Sequence, residues 1–358
     1  MDDPSDMLEE CKLGKNQMYI IAVVVIAIIA VASVSAVMLY QGSGEAETTP
    51  SPSPTATATP TPTESPTVSP SPTPLSVELT DDTGYTFTIS EYPKRLVSLA
   101  PGNTQILFAV GAGDNVVGVT AYCNYPYNFS AWIEAGNMSL SGNYYEPTVE
   151  PIIALNPDMV FAALGSADVA VQLRSLGYNV MVLDPGNLTG IMDNVMRVGK
   201  ATNHEAEATT LVADMEQRIE AVKSQLTDIE YRPKVYNEVW SDPYTSVGKG
   251  TFIDSLIKMA GGQNIFENAT SPYPIVDAEA IISQNPDIII FPSSMGIAMS
   301  FDDVADRDGW GSIPAVVNQK MYLINGDMIN QPGPRQVDAL EILGQIIHPE
   351  IFGEYTQP

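Results

Sequence analysis

Thr202 to Arg232 reads as one long helix, and the sequence on either side of it repeats. Leu211, Met215, Ile219, Val222, Leu226 and Ile229 recur at steps of three and four, a helical stripe rather than a strand pattern. Thr202-Asn203-His204-Glu205 fits a capping box, with the Thr hydroxyl and the Glu carboxylate satisfying orphan amides. No Gly or Pro interrupts the run before Pro233 stops it. At ~1.5 Å per residue, about 28 residues make a rod roughly 40 Å long, the span of a domain. Before this rod stands Glu150-Pro151-Ile152-Ile153-Ala154-Leu155-Asn156-Pro157-Asp158; after it stands Glu279-Ala280-Ile281-Ile282-Ser283-Gln284-Asn285-Pro286-Asp287. Glu, Ile-Ile and Asn-Pro-Asp coincide in register, and an apolar strand follows each. Two lobes of one design, bridged by one helix, are therefore expected.

A chain of 358 residues has room for two cored domains once its N-terminal region is set aside. The formal net charge of −27, from 43 acidic and 16 basic residues, disfavours nucleic acid as a partner, because phosphate binding needs basic patches and the sequence shows none. The two histidines, His204 and His348, exclude a His-rich transition-metal site. Cys11 and Cys123 form no disulfide framework, and the membrane topology below separates them.

Residues 1–17 read as a cytoplasmic N-terminus. Residues 18–40 carry no charge and are about long enough to cross a ~30 Å hydrocarbon core. Lys12 and Lys15 precede this run and no Lys or Arg follows until Lys94, which places the remainder outside the cell. Val34-Ser35-Ala36 leaves a cleaved signal peptide open, although the length of the run favours an uncleaved anchor. No cysteine follows that could carry a lipid. Residues 41–75 are a Thr/Ser/Pro tract expected to be a disordered, semi-rigid spacer open to glycosylation. Four sequons, at Asn128, Asn137, Asn187 and Asn268, are compatible with an exterior location.

From residue 76 onward, strand and helix patterns alternate. A hairpin turns at Asp82-Thr83-Gly84. Strands are expected at 95–99, 116–119, 159–163 and 180–183, and helices near 101–111, 150–155 and 169–176. After the rod come strands at 234–239, 288–291 and 321–324, and helices at 252–260, 278–283 and 334–347. Such alternation implies parallel sheets built from βαβ units. The expected fold is α/β: two Rossmann-like lobes (76–201 and 233–358) joined by a long rigid helix (202–232), preceded by a transmembrane helix and a Thr/Ser/Pro linker.

Several blocks carry a family resemblance. Arg95-Leu96-Val97-Ser98-Leu99-Ala100-Pro101-Gly102-Asn103-Thr104, running on to Gly111-Ala112-Gly113-Asp114, then Val117 to Thr120 and Cys123 to Pro126, resembles the substrate-binding proteins of cobalamin and ferric-siderophore ABC importers. Thr251 to Phe266, Trp310 to Asn325, and Pro332 through Glu350 continue the likeness in order. It covers about residues 90 to 350 and implies two lobes, one rigid helix, and delivery of a ligand to permease subunits with their ATPase.

Tyr122, Tyr144, Tyr145, Trp240, Tyr244 and Tyr273 fall in expected loops, and ligands of open α/β sheets gather at the carboxyl ends of strands. A flat macrocycle with a polar fringe suits such aromatic walls. The plain alternative is that loop tyrosines cap core edges. By similarity to cobalamin-binding members, Tyr144, Tyr244 and Tyr273 line the cleft with Tyr122, Tyr standing where Trp is usual. Pro101, Asn103, Trp240 and Arg335 complete the candidate ligand contacts. Only Lys249 and Arg335 are plausibly placed to meet an anionic catecholate siderophore. A hydroxamate siderophore, or a haem held by Tyr, stays open. Cys123 reads as a small buried hydrophobe rather than a metal ligand. The Asn-Pro-Asp turns read as structural, with Asp or Asn bonding local backbone. Glu150 and Glu279 suit the first turn of a helix through its dipole. In the resembled family one surface Glu per lobe grips arginines of the two permease subunits, which assigns these two to docking.

The expected function is therefore a membrane-anchored, monomeric extracellular receptor carrying a corrinoid to an ABC importer. It has no catalytic residues, no resident metal and no cofactor. A metal-chelatase-like enzyme is the second class, against which stand the missing nucleophile elbow, phosphate loop and acid–base pair. A structural surface protein would explain the anchor and spacer but not the paired Glu.

Overall fold

A computed structural model describes residues 75–293 and 300–357. The expected anchor at 18–40, nearly all of the spacer and Cys11 lie outside the described residues. Among those described, no helix is long and apolar enough to cross a membrane.

The chain opens with an antiparallel hairpin, β1 (Val77–Thr80) and β2 (Thr86–Ile89), turning through Asp81 to Tyr85. A five-stranded parallel sheet follows: β3 (Leu96–Ser98), β4 (Val116–Val119), β5 (Ser139–Leu140), β6 (Met159–Ala162) and β7 (Asn179–Val182), in the order β5-β4-β3-β6-β7. Its crossovers include α1 (Pro101–Ala109), α2 (Phe129–Glu134), α3 (Val149–Ile153) and α4 (Ala167–Ser175). Then come α5 (Leu188–Thr202) and α6 (Glu205–Gln225).

The second sheet repeats the plan. β8 (Lys234–Ser241), β10 (Gln263–Asn264), β11 (Ile288–Pro292) and β12 (Met321–Ile324) lie parallel in the order β10-β8-β11-β12, and β9 (Tyr244–Ser246) folds back antiparallel on β8. Its helices include α7 (Phe252–Met259), α8 (Ala278–Gln284), α9 (Phe301–Ala305), α10 (Pro314–Val317), α11 (Gly326–Asn330) and α12 (Gln336–Ile347). In both sheets the first strand is central: β4 and β5 lie on one side of β3 with β6 and β7 on the other, and β10 lies on one side of β8 with β11 and β12 on the other. Each sheet thus has a switch point, between β3 and β6 and between β8 and β11, where a crevice opens at the carboxyl ends.

Strands buried on both faces explain the apolar runs read from the sequence. Val97, Val160, Val180 and Val182 pack on Ile152 and Leu173. Leu96, Met159, Phe161 and Met181 face the other way, towards Ile191, Val195 and Val198 of α5. That second core is continuous with Met215, Ile219 and Val222 of α6 and with Leu256, Leu340 and Leu343 beyond it.

The passage between the sheets differs from the expected single rod of 202–232. Two helices make it, and they meet at Asn203, whose left-handed backbone (φ 62°) closes α5. Thr202 belongs to α5, where its hydroxyl donates to the Val198 carbonyl at 2.8 Å. It is therefore not a helix cap, and the residue preceding α6, His204, makes no side-chain cap bond. The turn is tight because position 199 is glycine: a Cβ there would lie 2.5 Å from that of Ala208. At its other end α6 stops at Gln225, well short of Arg232.

The Asn-Pro-Asp turns are also more than local. Asn156 and Asn285 occupy the left-handed region at φ 46° and 51°; Asn285 closes α8, and Asn156 stands three residues past the end of α3. The Asp that follows each reaches back across the lobe. Asp158 Oδ2 accepts the Lys94 and Arg95 amides at 2.8 and 2.9 Å, and Asp287 Oδ2 accepts the Lys234 amide at 2.8 Å. Each repeat thereby pins the start of its lobe's central strand, a long-range contact that local turn chemistry does not foretell.

Candidate functional site

The loops that leave the carboxyl ends of the first sheet carry three tyrosines that meet. Tyr122 follows β4, and Tyr144 and Tyr145 follow β5. Their ring centroids lie 6.1 Å (Tyr122–Tyr144), 5.2 Å (Tyr122–Tyr145) and 5.2 Å (Tyr144–Tyr145) apart, all edge-to-face. That geometry suits the aromatic quadrupole and leaves the outer ring faces free for another flat partner. Tyr122 and Tyr145 are exposed and Tyr144 is half-buried.

Tyr273 comes from the second lobe, between β10 and α8. It lies within electrostatic reach of Tyr144: burial pushes the Tyr144 phenol up, and Tyr145, Asp184 and Tyr273 add to the effect. Burial likewise raises Tyr273, although part of its ring is open to solvent. The groups that act on Tyr144 are thus two phenols and a carboxylate, with no cation among them. Asp184 stands just past β7 and is itself pushed up by burial and by Asp82.

The other expected contacts fall in different places. Trp240, exposed at the end of β8, turns its indole N–H to the Asp242 carbonyl at 2.8 Å. Tyr244 opens β9 and leans on buried Trp310 at 5.6 Å. Beneath both lies Arg307, a residue that sequence reasoning missed. Its guanidinium sits 5.2 Å from the Tyr244 ring and 4.5 Å from the Trp310 ring, and it forms a two-pronged pair with buried Glu238 at 2.7 and 2.9 Å. Nothing in the spacing of Glu238 and Arg307 marks them as partners.

Pro101 and Asn103 are buried at the start of α1. The Asn103 amide donates to the Ala162 carbonyl at 2.9 Å, tying α1 to the end of β6 across the switch point, so this side chain braces the crevice. Arg335 lies elsewhere. It covers the Tyr125 ring at 4.2 Å and, with Gln105, Met215 and Arg218, lines a cavity of about 230 Å³ beside α6. That position joins the lobes: Gln105 Nε2 donates to Gln331 Oε1 at 2.7 Å, and Asn124 Nδ2 donates to Asp327 Oδ2 at 2.6 Å. Cys123 is a free, buried thiol beside the Thr104 and Thr120 hydroxyls, and burial pushes its pKa up.

Glu150 and Glu279 are exposed, each the second residue of its helix, α3 or α8. Each stands six residues after a cleft tyrosine, Tyr144 or Tyr273.

Two α/β lobes in contact, with a tyrosine cluster on one and Tyr273 of the other within electrostatic reach of it, define a two-lobe solute-binding protein. The chain belongs to the periplasmic binding protein family, which matches residues 96–328; members of this family bind solutes and are not enzymes. An uncharacterised ABC transporter substrate-binding lipoprotein of Bacillus subtilis is 33% identical over 294 residues, covering 78% of this chain and 87% of the relative. A vitamin B12-binding protein of Vibrio parahaemolyticus is 29% identical over 258 residues, covering 71% and 90%. Among solved structures, a periplasmic heme-binding protein of Roseiflexus superposes with a TM-score of 0.62 at 24% identity, covering 71% of this chain and 97% of that one.

Proposed function

We propose that this chain is the substrate-binding protein of an ABC importer, and that it captures a corrinoid between its lobes and delivers it to the permease. The observation that carries the ligand class is the cluster of Tyr122, Tyr144 and Tyr145, with Tyr273 of the opposite lobe and Asp184 within electrostatic reach of Tyr144. Flat aromatic walls favour a macrocycle with apolar faces. Haem carries two propionates and catecholate siderophores are strongly anionic; both call for several Arg or Lys, whereas Arg335 is engaged at Tyr125 and Lys249, exposed next to Gly248, is a single charge. The kinship with a vitamin B12-binding protein supports the same ligand. Trp240 and Tyr244 extend the second wall, and Pro101 and Asn103 set its floor.

The division into an N-terminal lobe (76–201), a bridging segment (202–232) and a C-terminal lobe (233–358) is part of this reading. So is docking through Glu150 and Glu279, one acid per lobe facing two permease subunits. The apolar run at 18–40 and the spacer at 41–75 would hold this monomeric receptor outside the cell.

Titration of the purified chain with cyanocobalamin, by calorimetry and visible absorbance, tests the ligand. One-to-one binding is expected. Uptake of a haem or ferric hydroxamate with no response to cobalamin would keep the transport role and discard the corrinoid. Charge reversal of Glu150 or Glu279 should leave that titration unchanged while lowering cobalamin uptake by cells.

A further inference from the structure

The aromatic wall of the second lobe and Glu279 lie on one hydrogen-bonded ribbon. β8 ends with Trp240 and Ser241, and β9 folds back on it with Trp240 opposite Thr245 and Ser241 opposite Tyr244. Residues 272–276 then run along the free edge of β9. Gly248 N donates to Pro272 O at 2.7 Å, Ser246 N to Pro274 O at 3.0 Å, and Val276 N to Tyr244 O at 2.9 Å. Tyr273 and Ile275 project from this edge and are exposed. The next residue, Asp277, caps α8 by accepting the Ala280 amide at 2.7 Å, and Glu279 follows in the first turn. No unbonded stretch separates Tyr244 and Tyr273 from the acid.

The first lobe has the same six-residue separation without the ribbon. Among the described residues, the run 145–148 is held by one bond, from Tyr145 N to Asn143 Oδ1 at 3.0 Å, and Thr148 makes no side-chain cap to α3. A displacement of Tyr144 can be absorbed there before it reaches Glu150. Under the second-lobe ribbon, by contrast, Arg307 stacks on Tyr244 and is clamped by Glu238, which stands opposite Ser246 in the β8–β9 register. Coupling between sites travels through contiguous hydrogen-bonded and packed groups, and only this lobe has them continuous from wall to acid.

We propose that the ribbon makes Glu279, rather than Glu150, the acid that reports cleft occupancy to the permease, and that Arg307 is the positioning residue holding the ribbon in register. This rests on the reading of the cleft as a corrinoid site and of the two acids as docking points.

Hydrogen–deuterium exchange of the full chain with and without cyanocobalamin tests it. Saturation should slow exchange about tenfold in 244–248 and 272–276, and likewise in 277–284, while 149–153 changes by less than about twofold. Slowing at the wall with none in 277–284, or equal slowing in 149–153, would overturn the proposal and leave the cleft reading intact. No slowing anywhere, with no heat of binding, would overturn both. A neutral pair, Glu238→Gln with Arg307→Gln, leaves no buried charge unpaired. It should still bind cyanocobalamin while losing the slowing at 277–284; persistence of that slowing would remove Arg307 from its role.

Discussion

Arg218, near the middle of α6, donates to both carboxylate oxygens of Glu341 on α12, at 2.8 and 2.6 Å, and to Asp338 at 2.6 Å. Its bonds to Glu341 push the guanidinium pKa up against the opposing effect of burial. The pair fixes the connecting helix to the second lobe. Both sides are partly open to water, so the expected cost of Arg218→Ala is about 1 kcal/mol, the upper end for a screened network. Denaturant unfolding should show this loss, and it should shrink in high salt.

Asp81 is the better test of a buried charge. Its carboxylate is closed to solvent and accepts from the Thr83 amide and hydroxyl, the Tyr85 and Val182 amides, and Arg174. Burial by itself would raise its pKa, but the bond from Thr83, then those from Val182 and Tyr85 and the charge of Arg174, leave it below the ordinary carboxylate value. A depressed carboxylate stabilises the fold above its unfolded pKa of about 3.9 and loses that contribution as pH falls through the lower folded value. Asp81→Asn should cost about 3 kcal/mol near neutral pH, because Arg174 loses its counter-charge. The gap between wild-type and variant melting temperatures should close steadily as the pH falls below about 4.

These two side chains show where legibility ended. The repeat of Glu, Ile-Ile and Asn-Pro-Asp was visible because α3 and α8 are short, each is followed by a left-handed Asn, and each leads into a strand buried on both faces. Strands β3, β4, β6, β7, β8, β11 and β12 could be placed for the same reason, whereas the short β5, β9 and β10 carry no such apolar run and were not. Helix α5 was not, because Gly190, Gly199 and Thr202 weaken its propensity, and its stability comes from Ile191, Val195 and Val198 against the sheet. Of the candidate site, the tyrosines could be read from loop position. The placement of Arg335 on Tyr125 and of Arg307 under Tyr244 depends on contacts between segments far apart in sequence, for which no local pattern exists.

Tyr144 and Tyr273 should contribute separately to binding, since each belongs to a different lobe. Replacing either with Ala should weaken cyanocobalamin about tenfold, or ~1.4 kcal/mol, and Phe should restore most of it because the ring face is what stacks. Both phenols are raised above their usual value, so they stay neutral as pH rises through the ordinary tyrosine range. Affinity should therefore be flat between about pH 6 and about pH 9. A fall across that window in calorimetric titrations would point to an ionising contact other than these two.

A close approach of the lobes at Gly102 gives the last prediction. Gly102, in the first turn of α1, has room for no side chain: a Cβ there would lie 2.4 Å from the Pro332 carbonyl oxygen, in the segment between α11 and α12. The obstacle is backbone, so a rotamer change cannot relieve it, and either α1 or the 331–335 segment must move. The neighbouring Gln105–Gln331 bond lies on the same seam and would be stretched with it. Gly102→Ala should thus cost about 1–3 kcal/mol of stability. Gly165→Ala, where nothing lies within 4 Å, should be nearly neutral and serves as the control. If the lobes yield rather than the fold, the loss will appear instead as faster hydrogen exchange in 101–109 and 326–338 at an unchanged melting temperature. Cobalamin, by bridging the two walls, should reverse that acceleration.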